Sequence, residues 1–305
     1  MSSKIWVVGA GKGGVGKTFI TSSLGISLSK LNQSILLVDF DLSGANLHTT
    51  LGLSPSNTNL SLYLRNEAPL LNIIQPTKVP KLSYVQGAWD QWVAAPVDIK
   101  TCKKLVDDCK HSGFDIVIFD LGPGATEINL EFFNLADERI LVTSAEPTSI
   151  EKSYRFIETC LLQKLKESST AESFEKLYRT LAEYRTLNNK SHFSFRQYLQ
   201  DAAGFSLNPF DELSANPIRL VVNGSRNQLD QDLGFAMKSI CSKYFDVNLD
   251  FVGSIDYDNA AWQAVRNREA MLVEKPFTPL AGQFLSLCKK LLNNETLPHQ
   301  YKAVV

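Results

Sequence analysis

The stretch GKGGVGKTF at residues 11–19 decides the fold of this chain, because it lies between two patterns that differ in period. The residues before it, IWVVGA at 5–10, form a short continuous apolar run, which predicts a buried β-strand. The residues after it carry apolar side chains at helical intervals. These positions are Ile20, Leu24, Leu28 and Leu31. The stretch is therefore expected to be the turn between a buried strand and a helix.

The same stretch contains the pattern of a phosphate-binding loop. Gly11, Gly16, Lys17 and Thr18 stand in the order Gly-x-x-x-x-Gly-Lys-Thr. The glycines allow backbone N–H groups to close around phosphates, and the following helix directs its positive end at them. Lys17 is predicted to reach the β- and γ-phosphates of a nucleotide, and Thr18 to bind Mg²⁺. This pattern leaves a second lysine, Lys12, without a role.

Five further apolar runs recur along the chain, with helical stretches between them. They are SILLVDFD (34–41), FDIVIFDLG (114–122), RILVTSAEP (139–147), IRLVVNGS (218–225) and LDFVGSID (249–256). Near-continuous apolar strands indicate burial on both faces, and their alternation with helices predicts a doubly wound α/β fold with a mostly parallel sheet. We predict one P-loop domain over residues 1–305. A small helical subdomain is predicted as an insertion at 166–215, because the connection there is too long for one crossover helix.

Aspartates end two of these runs, and the fold is expected to deliver them to the edge of the sheet that carries the loop. Asp120 ends an apolar strand, as does the carboxylate that holds Mg²⁺ in P-loop hydrolases. Asp39 and Asp41 end another strand. We assign Asp39 to the metal together with Asp120 and Thr18, and Asp41 to hydrolysis nearer the γ-phosphate. Gly122 permits close approach of the backbone to that phosphate.

Together, KGGVGKT (12–18), DFD with GANL (39–47) and FDLGPG (119–124) resemble the MinD/ParA family of P-loop ATPases, in which an early lysine makes the Walker A loop deviant. The resemblance implies ATP and ADP as ligands, Mg²⁺ as cofactor, and weak ATP hydrolysis that works as a switch. It implies that Lys12 reaches across an ATP-bound homodimer to the partner's phosphates, so Lys12 joins Asp41 as a catalytic candidate. Within the family, residues 135–157 and 256–272 are most similar to the flagellar-number regulators FlhG and FleN.

The resemblance also extends the nucleotide-binding set beyond the loop. It implies that an amide at the end of one strand binds adenine and that the end of the last strand lines the base. The full implied set is Gly11, Lys12, Gly13, Gly14, Val15, Gly16, Lys17, Thr18, Phe19, Gly122, Asn223 and Asp256. Phe19 departs from the family pattern, which has a small polar residue near the α-phosphate, because a phenylalanine side chain cannot make that hydrogen bond.

By this resemblance the chain is an ATP-switched regulator of the position or number of a cellular structure, such as flagella or the division site. The implied partners are a second copy in the ATP state and a protein that stimulates hydrolysis. The implied location is the cytoplasm, with peripheral contact at the inner membrane as an option. The alternative is a ParA-like partitioning ATPase that binds DNA nonspecifically as an ATP dimer. Its basic face would be Arg266, Arg268, Lys275, Lys289 and Lys290. An ATP-coupled amidating synthetase is the third reading.

Composition argues against several other classes. The formal net charge of −1 is not the basic excess of a general nucleic-acid binder. No apolar run has the length of a membrane span, and we expect no signal peptide, because the first strand begins at Lys4. A last helix at 279–292 is predicted to pack on the sheet, with a membrane foot as the alternative. The five cysteines form no C-x-x-C pair and avoid the segment 120–134, which argues against an iron–sulfur carrier.

Overall fold

Eight strands form one sheet in the computed structural model, which describes residues 2–42, 44–88, 97–170, 172–179 and 215–293. The strands are β1 (Lys4–Gly9), β2 (Ile35–Phe40), β3 (Gln75–Pro76), β4 (Leu82–Val85), β5 (Ile116–Leu121), β6 (Glu138–Thr143), β7 (Ile218–Ser225) and β8 (Leu249–Asp256). Their order across the sheet is β3-β4-β2-β5-β1-β6-β7-β8. All neighbouring pairs are parallel except β3 with β4.

Helices connect these strands and cover both faces of the sheet. They are α1 (Lys17–Lys30), α2 (Leu47–Thr50), α3 (Leu60–Leu64), α4 (Leu70–Ile73), α5 (Ile99–Lys110), α6 (Glu127–Leu135), α7 (Pro147–Glu167), α8 (Gln228–Ile240), α9 (Asn259–Asn267), α10 (Met271–Glu274) and α11 (Pro279–Asn293). A π-helical turn, Cys241–Phe245, continues α8. The prediction of a doubly wound, mostly parallel α/β fold is confirmed. The six predicted strands are all present, whereas β3 and β4 were not predicted because each is too short to form a distinct apolar run.

The insertion predicted at 166–215 lies mostly outside the described residues, so the helical subdomain stays a prediction. The structure describes its beginning, a helical segment at 172–179 that follows the end of α7. Leu177 of this segment is fully buried in the same apolar cluster as Ile157 and Leu161 of α7, and Phe174 packs against that cluster. The first part of the insertion therefore contributes to the core of the main domain.

The helix after the phosphate-loop motif, α1, is buried on nearly every side, because the sheet lies on one side of it and α11 on another. It approaches the sheet closely at Gly25, where an added Cβ would lie 2.9 Å from the methyl carbons of Leu37 in β2. Small serine side chains fill much of the remaining surface of the helix. This tight packing fixes the start of α1, and with it the loop, at the carboxyl edge of the sheet.

The last helix, α11, packs on the domain through its apolar stripe. The stripe consists of Leu280, Phe284, Leu287 and Leu291, all buried in the cluster that contains the core of α1. The prediction that this helix packs on the sheet is therefore confirmed, and the stripe is not exposed as a membrane foot. None of the helices in the described ranges has both the length and the apolar character needed to cross a membrane.

Candidate functional site

The loop at residues 11–16 lies between the end of β1 and the start of α1, as the sequence predicts. Gly14 and Gly16 have φ values of 82° and 84°, in the left-handed region that favours glycine. Two neighbouring elements also pack closely against the loop. A Cβ on Gly11 would overlap the backbone carbonyl of Lys152 in α7, and one on Gly16 would overlap the amide of Asn223 in β7. The loop conformation is therefore fixed by α7 and β7 as well as by its glycines.

Asp120, near the end of β5, is the centre of the polar contacts at the start of α1. Lys17 Nζ donates to its Oδ1 and Thr18 Oγ1 to its Oδ2, each at 2.7 Å. Thr21 Oγ1 also donates to Oδ1 at 2.7 Å. Thr21 was not among the predicted site residues, although its spacing from Lys17 could have indicated it. It stands four residues after Lys17 and therefore on the same face of the helix.

Asp39 lies beside Asp120, since the two residues are paired in the register of β2 and β5. Its buried carboxylate accepts hydrogen bonds from the backbone N–H of Asp41 (3.2 Å) and of Leu47 (2.9 Å). Burial, and then the charge of Asp120, raise the pKa of Asp39 to about 7. A divalent cation between the carboxylates would offset this repulsion. The oxygens of Asp39, Asp120 and Thr18 are the hard ligands that Mg²⁺ prefers, so the residues present fit this ion.

Asp41 lies beside the loop that follows β5. A Cβ added to Gly122 would be 3.2 Å from Asp41 Oδ1, which shows how closely this carboxylate approaches the backbone there. Two residues later, the N–H of Gly124 donates to the carbonyl of Ala10 at 2.9 Å. The segment Gly122–Gly124 therefore bridges Asp41 and the start of the phosphate loop. The role of Asp41 and Gly122 near a γ-phosphate stays a prediction.

Lys12 turns away from the buried carboxylates and contacts the start of α7. Its Nζ donates to Glu146 Oε2 at 2.7 Å and to Thr148 Oγ1 at 3.0 Å. The side chain of Lys12 is 36% exposed and that of Glu146 is 65% exposed. Solvent therefore screens the ion pair, and the attraction between the two side chains is weak. The hydrogen bond from Lys12 lowers the pKa of Glu146. Sequence reasoning missed both partners of Lys12, because no local pattern relates residues that distant in the chain.

The two residues predicted at the adenine base lie at the ends of β7 and β8. Asn223 Nδ2 donates to the carbonyl of Val15 in the phosphate loop at 2.8 Å. The carboxylate of Asp256 accepts from Gln231 of α8 (3.2 Å) and from Gln283 of α11 (2.7 Å). In this structure both side chains therefore hold the ends of strands against their neighbours. Their contact with adenine stays a prediction.

Phe19 is the residue whose side chain the structure places most differently from the predicted nucleotide contact. Its ring lies edge-on to that of Phe284 in α11, with 5.7 Å between the centroids and an interplanar angle of 78°. The side chain packs, half-buried, against the core cluster of α1 and α11. The ring is therefore a packing group between two helices, and contact of Phe19 with a nucleotide stays a prediction.

Phe19→Ala is expected to lower the free energy of unfolding by about 2 kcal/mol, because it removes the aromatic contact between α1 and α11. The Kd for MgATP is expected to stay within about threefold, a change that corresponds to less than 1 kcal/mol. Chemical denaturation and titration calorimetry measure the two quantities. Phe284→Ala is the matched control, and the double variant should lose less stability than the sum of both. A folded Phe19→Ala protein that no longer binds MgATP would contradict this interpretation.

Comparison with known proteins identifies the family and supports the fold. The family model described as "ParA: NUBPL iron-transfer P-loop NTPase" matches residues 2–173, more than half of the chain. The chain belongs to the ParA family of P-loop NTPases. The match includes the phosphate loop, the Asp39 and Asp41 strand end and the Asp120 strand end of this ParA-family NTPase, whereas Asn223 and Asp256 lie outside it.

Relatives of this NTPase include proteins named as septum site-determining. A putative septum site-determining protein MinD of Emiliania huxleyi is 36% identical over 157 residues, which cover 51% of this chain and 57% of that protein. The match thus spans little more than half of that relative. The antiactivator FleN of Pseudomonas aeruginosa is 23% identical over 290 residues, covering 94% of this chain and 86% of FleN. The solved MinD of Pyrococcus horikoshii, a complex with Mg-ADP, shares the fold with a TM-score of 0.65 at 20% identity, over 95% of this chain and 96% of that one.

Proposed function

We propose that this ParA-family NTPase is an ATP-dependent dimerising switch that controls the position or the number of a cellular structure, such as flagella or the division site. The observation that carries the proposal is the contact of Lys12 with Glu146 and Thr148. Lys17, in the same loop, is 7% exposed and pairs with Asp120, whereas Lys12 sits at the surface in a screened pair. A cation held this weakly can transfer to another anion with little loss of stability.

The anion that fits this role belongs to a second copy of the chain. Two copies that face each other across their phosphate loops would place the Lys12 of each near the phosphates of the other. Charge-assisted contacts in such a water-poor interface are strong, so the triphosphate state favours the dimer. Loss of the terminal phosphate removes negative charge, and Lys12 returns to Glu146. The exchange of partners by Lys12 makes nucleotide state and dimerisation one equilibrium.

The other site residues have separate tasks in the proposed reaction. Bound ATP and Mg²⁺ supply the phosphoryl group and the positive charge that neutralises its oxygens. Lys17 would bind the β- and γ-phosphates, and Asp120, Asp39 and Thr18 would hold Mg²⁺, which supplies positive charge to the phosphate oxygens. Asp41, at the edge of the buried carboxylates, positions the attacking water. This division explains why the two aspartates of one strand end differ in burial: Asp39 is 1% exposed, and Asp41 is more accessible.

The cysteines favour a switch over the iron transfer in the description of the family model. All five are buried free thiols. Burial raises the pKa of each thiol, so the thiolate form that binds iron is disfavoured. The names of the septum site-determining MinD and flagellum site-determining YlxH relatives support control of position. We place the protein in the cytoplasm or peripherally at the inner membrane, with a partner protein that stimulates hydrolysis.

The alternative of nonspecific DNA binding stays open. Two of its predicted basic residues have other contacts in the structure. The guanidinium of Arg266 lies 5.4 Å from the ring centroid of Trp262, and Lys290 Nζ donates to the carbonyl of Val252 at 3.2 Å. A linear dependence of log affinity on log salt concentration for the ATP form on mixed-sequence DNA would favour this alternative.

Asp41→Ala is expected to stop ATP hydrolysis and leave MgATP bound. The change removes the carboxylate beside Gly122 and leaves the contacts of Lys17, Thr18 and Asp120 in place. Phosphate release should fall by about 100-fold or more, the effect of losing a group that positions a reactant. Malachite-green assays measure the rate, and calorimetry measures binding.

Asp115→Ala is the control, because Asp115 lies at the opposite end of β5. Its carboxylate there accepts hydrogen bonds from the backbone N–H and the hydroxyl of Ser34. Unchanged hydrolysis by Asp41→Ala would remove Asp41 from the mechanism. The cellular role is tested by purifying partners from cells that hold the Asp41→Ala protein in its ATP state. Recovery of proteins that belong to one cellular structure, such as the flagellum or the division site, supports the proposal. Recovery of DNA segregation partners supports the alternative.

A further inference from the structure

Asn129, on the first turn of α6, holds the loop that follows β5. Its side-chain Nδ2 donates to the carbonyl oxygens of Gly122 (3.0 Å) and Gly124 (2.9 Å). The residue is 6% exposed, so little water competes for these bonds. Both hydrogens of the amide are thereby directed at the backbone of the loop.

The Gly122–Gly124 loop that Asn129 holds also contacts Asp41 and the phosphate loop. Gly122 lies against Asp41, and Gly124 donates to the carbonyl of Ala10 at the end of β1. Pro123 faces the phosphate loop, since a Cβ on Gly13 would lie 3.7 Å from its ring. Pro123 has no N–H and Gly124 has a φ of 85°, so the segment has few contacts of its own to fix its shape. The two hydrogen bonds from Asn129 supply that constraint.

The helix that carries Asn129 is anchored to both strands that deliver the aspartates. Phe132, one turn after Asn129, packs on Phe40 with 4.2 Å between ring centroids and on Phe119 with 4.9 Å. Phe40 directly precedes Asp41, and Phe119 directly precedes Asp120 in the chain. The helix is therefore a rigid reference for both carboxylates. Asn129 extends the same reference to the Gly122–Gly124 loop.

We propose that Asn129 is a positioning residue for ATP hydrolysis, which keeps the Gly122–Gly124 loop in register with Asp41. This inference rests on the proposed function, because it assigns a task within the same reaction. Asn129 acts through the loop, because its amide donates to the carbonyls of Gly122 and Gly124. Without its two hydrogen bonds the carbonyls of Gly122 and Gly124 are free to rotate, and the loop no longer keeps its distance from Asp41. Nucleotide binding through Lys17 and Thr18 does not need this constraint.

The test is Asn129→Asp, which preserves the size of the side chain but replaces the two donated hydrogens with an acceptor that repels the carbonyls. The kcat for ATP is expected to fall by about 10- to 100-fold, as for other misplaced reacting groups. The Kd for MgATP should change by no more than about threefold. Hydrogen exchange of peptides covering 121–126 should become faster in the nucleotide-free protein, a readout that needs no turnover.

Asn134→Asp is the matched control, because Asn134 lies on the same helix and its amide donates to Cys160 at 3.5 Å, away from the loop. It is expected to keep the parent kcat and the parent exchange at 121–126. If Asn129→Asp does not fold, Asn129→Ala replaces it, since alanine removes the donors without adding charge. A folded variant with parent kcat, or one in which kcat and MgATP affinity fall together, overturns the inference.

The proposed function and this inference fail in different ways. Absence of hydrolysis in the parent protein itself would refute the hydrolytic part of the proposed function. In that case the exchange data decide the inference: faster exchange at 121–126 in Asn129→Asp alone supports the hold on the loop, and equal exchange in both variants overturns it.

Discussion

Lys17→Ala is expected to abolish binding of MgATP, with a loss of affinity of about 100-fold or more. Lys17 is buried at the end of the phosphate loop, at 7% exposure, and it begins α1 directly after the left-handed N-cap residue Gly16. In the nucleotide-free protein its charge is offset by Asp120 at 2.7 Å. The same ammonium group is the one that the β- and γ-phosphates require. Titration calorimetry with MgATP and MgADP measures the loss directly.

The same substitution also has a cost for the fold. Asp120 is fully buried beside Asp39, and removal of Lys17 leaves that carboxylate pair without its cation. Breaking a buried pair in this way costs about 3–5 kcal/mol, so Lys17→Ala should also melt at a lower temperature. Lys17→Arg separates the two effects. It retains a charge for Asp120 and most of the stability, but its larger planar head does not fit the loop and should still weaken binding.

Lys30→Ala is the matched control for both variants. Lys30 ends the same helix, and its Nζ donates to the carbonyl of Leu272 at 2.9 Å, about 20 Å along the helix from the loop. Its loss should leave MgATP affinity at the parent value. If Lys17→Ala is folded and binds MgATP as well as Lys30→Ala does, the assignment of the phosphate loop is wrong.

Lys12→Ala is expected to prevent ATP-dependent dimerisation without preventing ATP binding. In the Asp41→Ala background, which holds ATP unhydrolysed, the parent loop should give a dimer with ATP and a monomer with ADP. Addition of Lys12→Ala should leave only monomer with either nucleotide, because phosphate charge then faces phosphate charge across the interface. Binding should remain, since the variant keeps Lys17 and Thr18 and their contacts with Asp120. Light scattering after size exclusion measures the mass of each species.

Two further variants make this test specific for the proposed exchange of partners. Lys81→Ala removes a surface lysine whose Nζ contacts Asn32, and the ATP dimer should form as before. Glu146→Gln weakens the contact that holds Lys12 on its own subunit, so the ATP dimer should form at lower protein concentration. An ATP-dependent dimer that survives the loss of Lys12 would return this lysine to a solvated loop residue and would refute the switch proposed here.

Much of the fold could be predicted from the sequence, because it is written in local patterns. The six long strands are continuous apolar runs, and each one precedes a helical period or a glycine turn. The strands β3 and β4 could not be predicted, since a two-residue strand ending in Pro76 and a four-residue strand are too short to show a distinct apolar run. The packing of α11 followed from its stripe of leucines and Phe284.

Some residues of the site could likewise be predicted from local patterns, and others could not. The sequence by itself determined the phosphate loop and the strand ends at Asp39 and Asp120, because parallel strands bring their carboxyl ends to one edge of a sheet. Thr21 was within reach of the same reasoning, by its helical spacing from Lys17.

Only the tertiary structure decided where the remaining side chains point. Lys12 meets Glu146 and Phe19 packs on Phe284, and each of these two contacts joins elements from distant parts of the chain. Asn129 holds Gly122, seven residues earlier, across the turn between β5 and α6. A local pattern fixes the backbone conformation of a segment and the face on which a residue lies. It does not fix which distant element packs against that face, because this depends on how the helices fill the two sides of the sheet. The sequence therefore determined which chemistry the loop and the aspartates can support, and the tertiary structure decided how Lys12 and Phe19 pack on distant elements and how Asn129 holds the turn before its own helix.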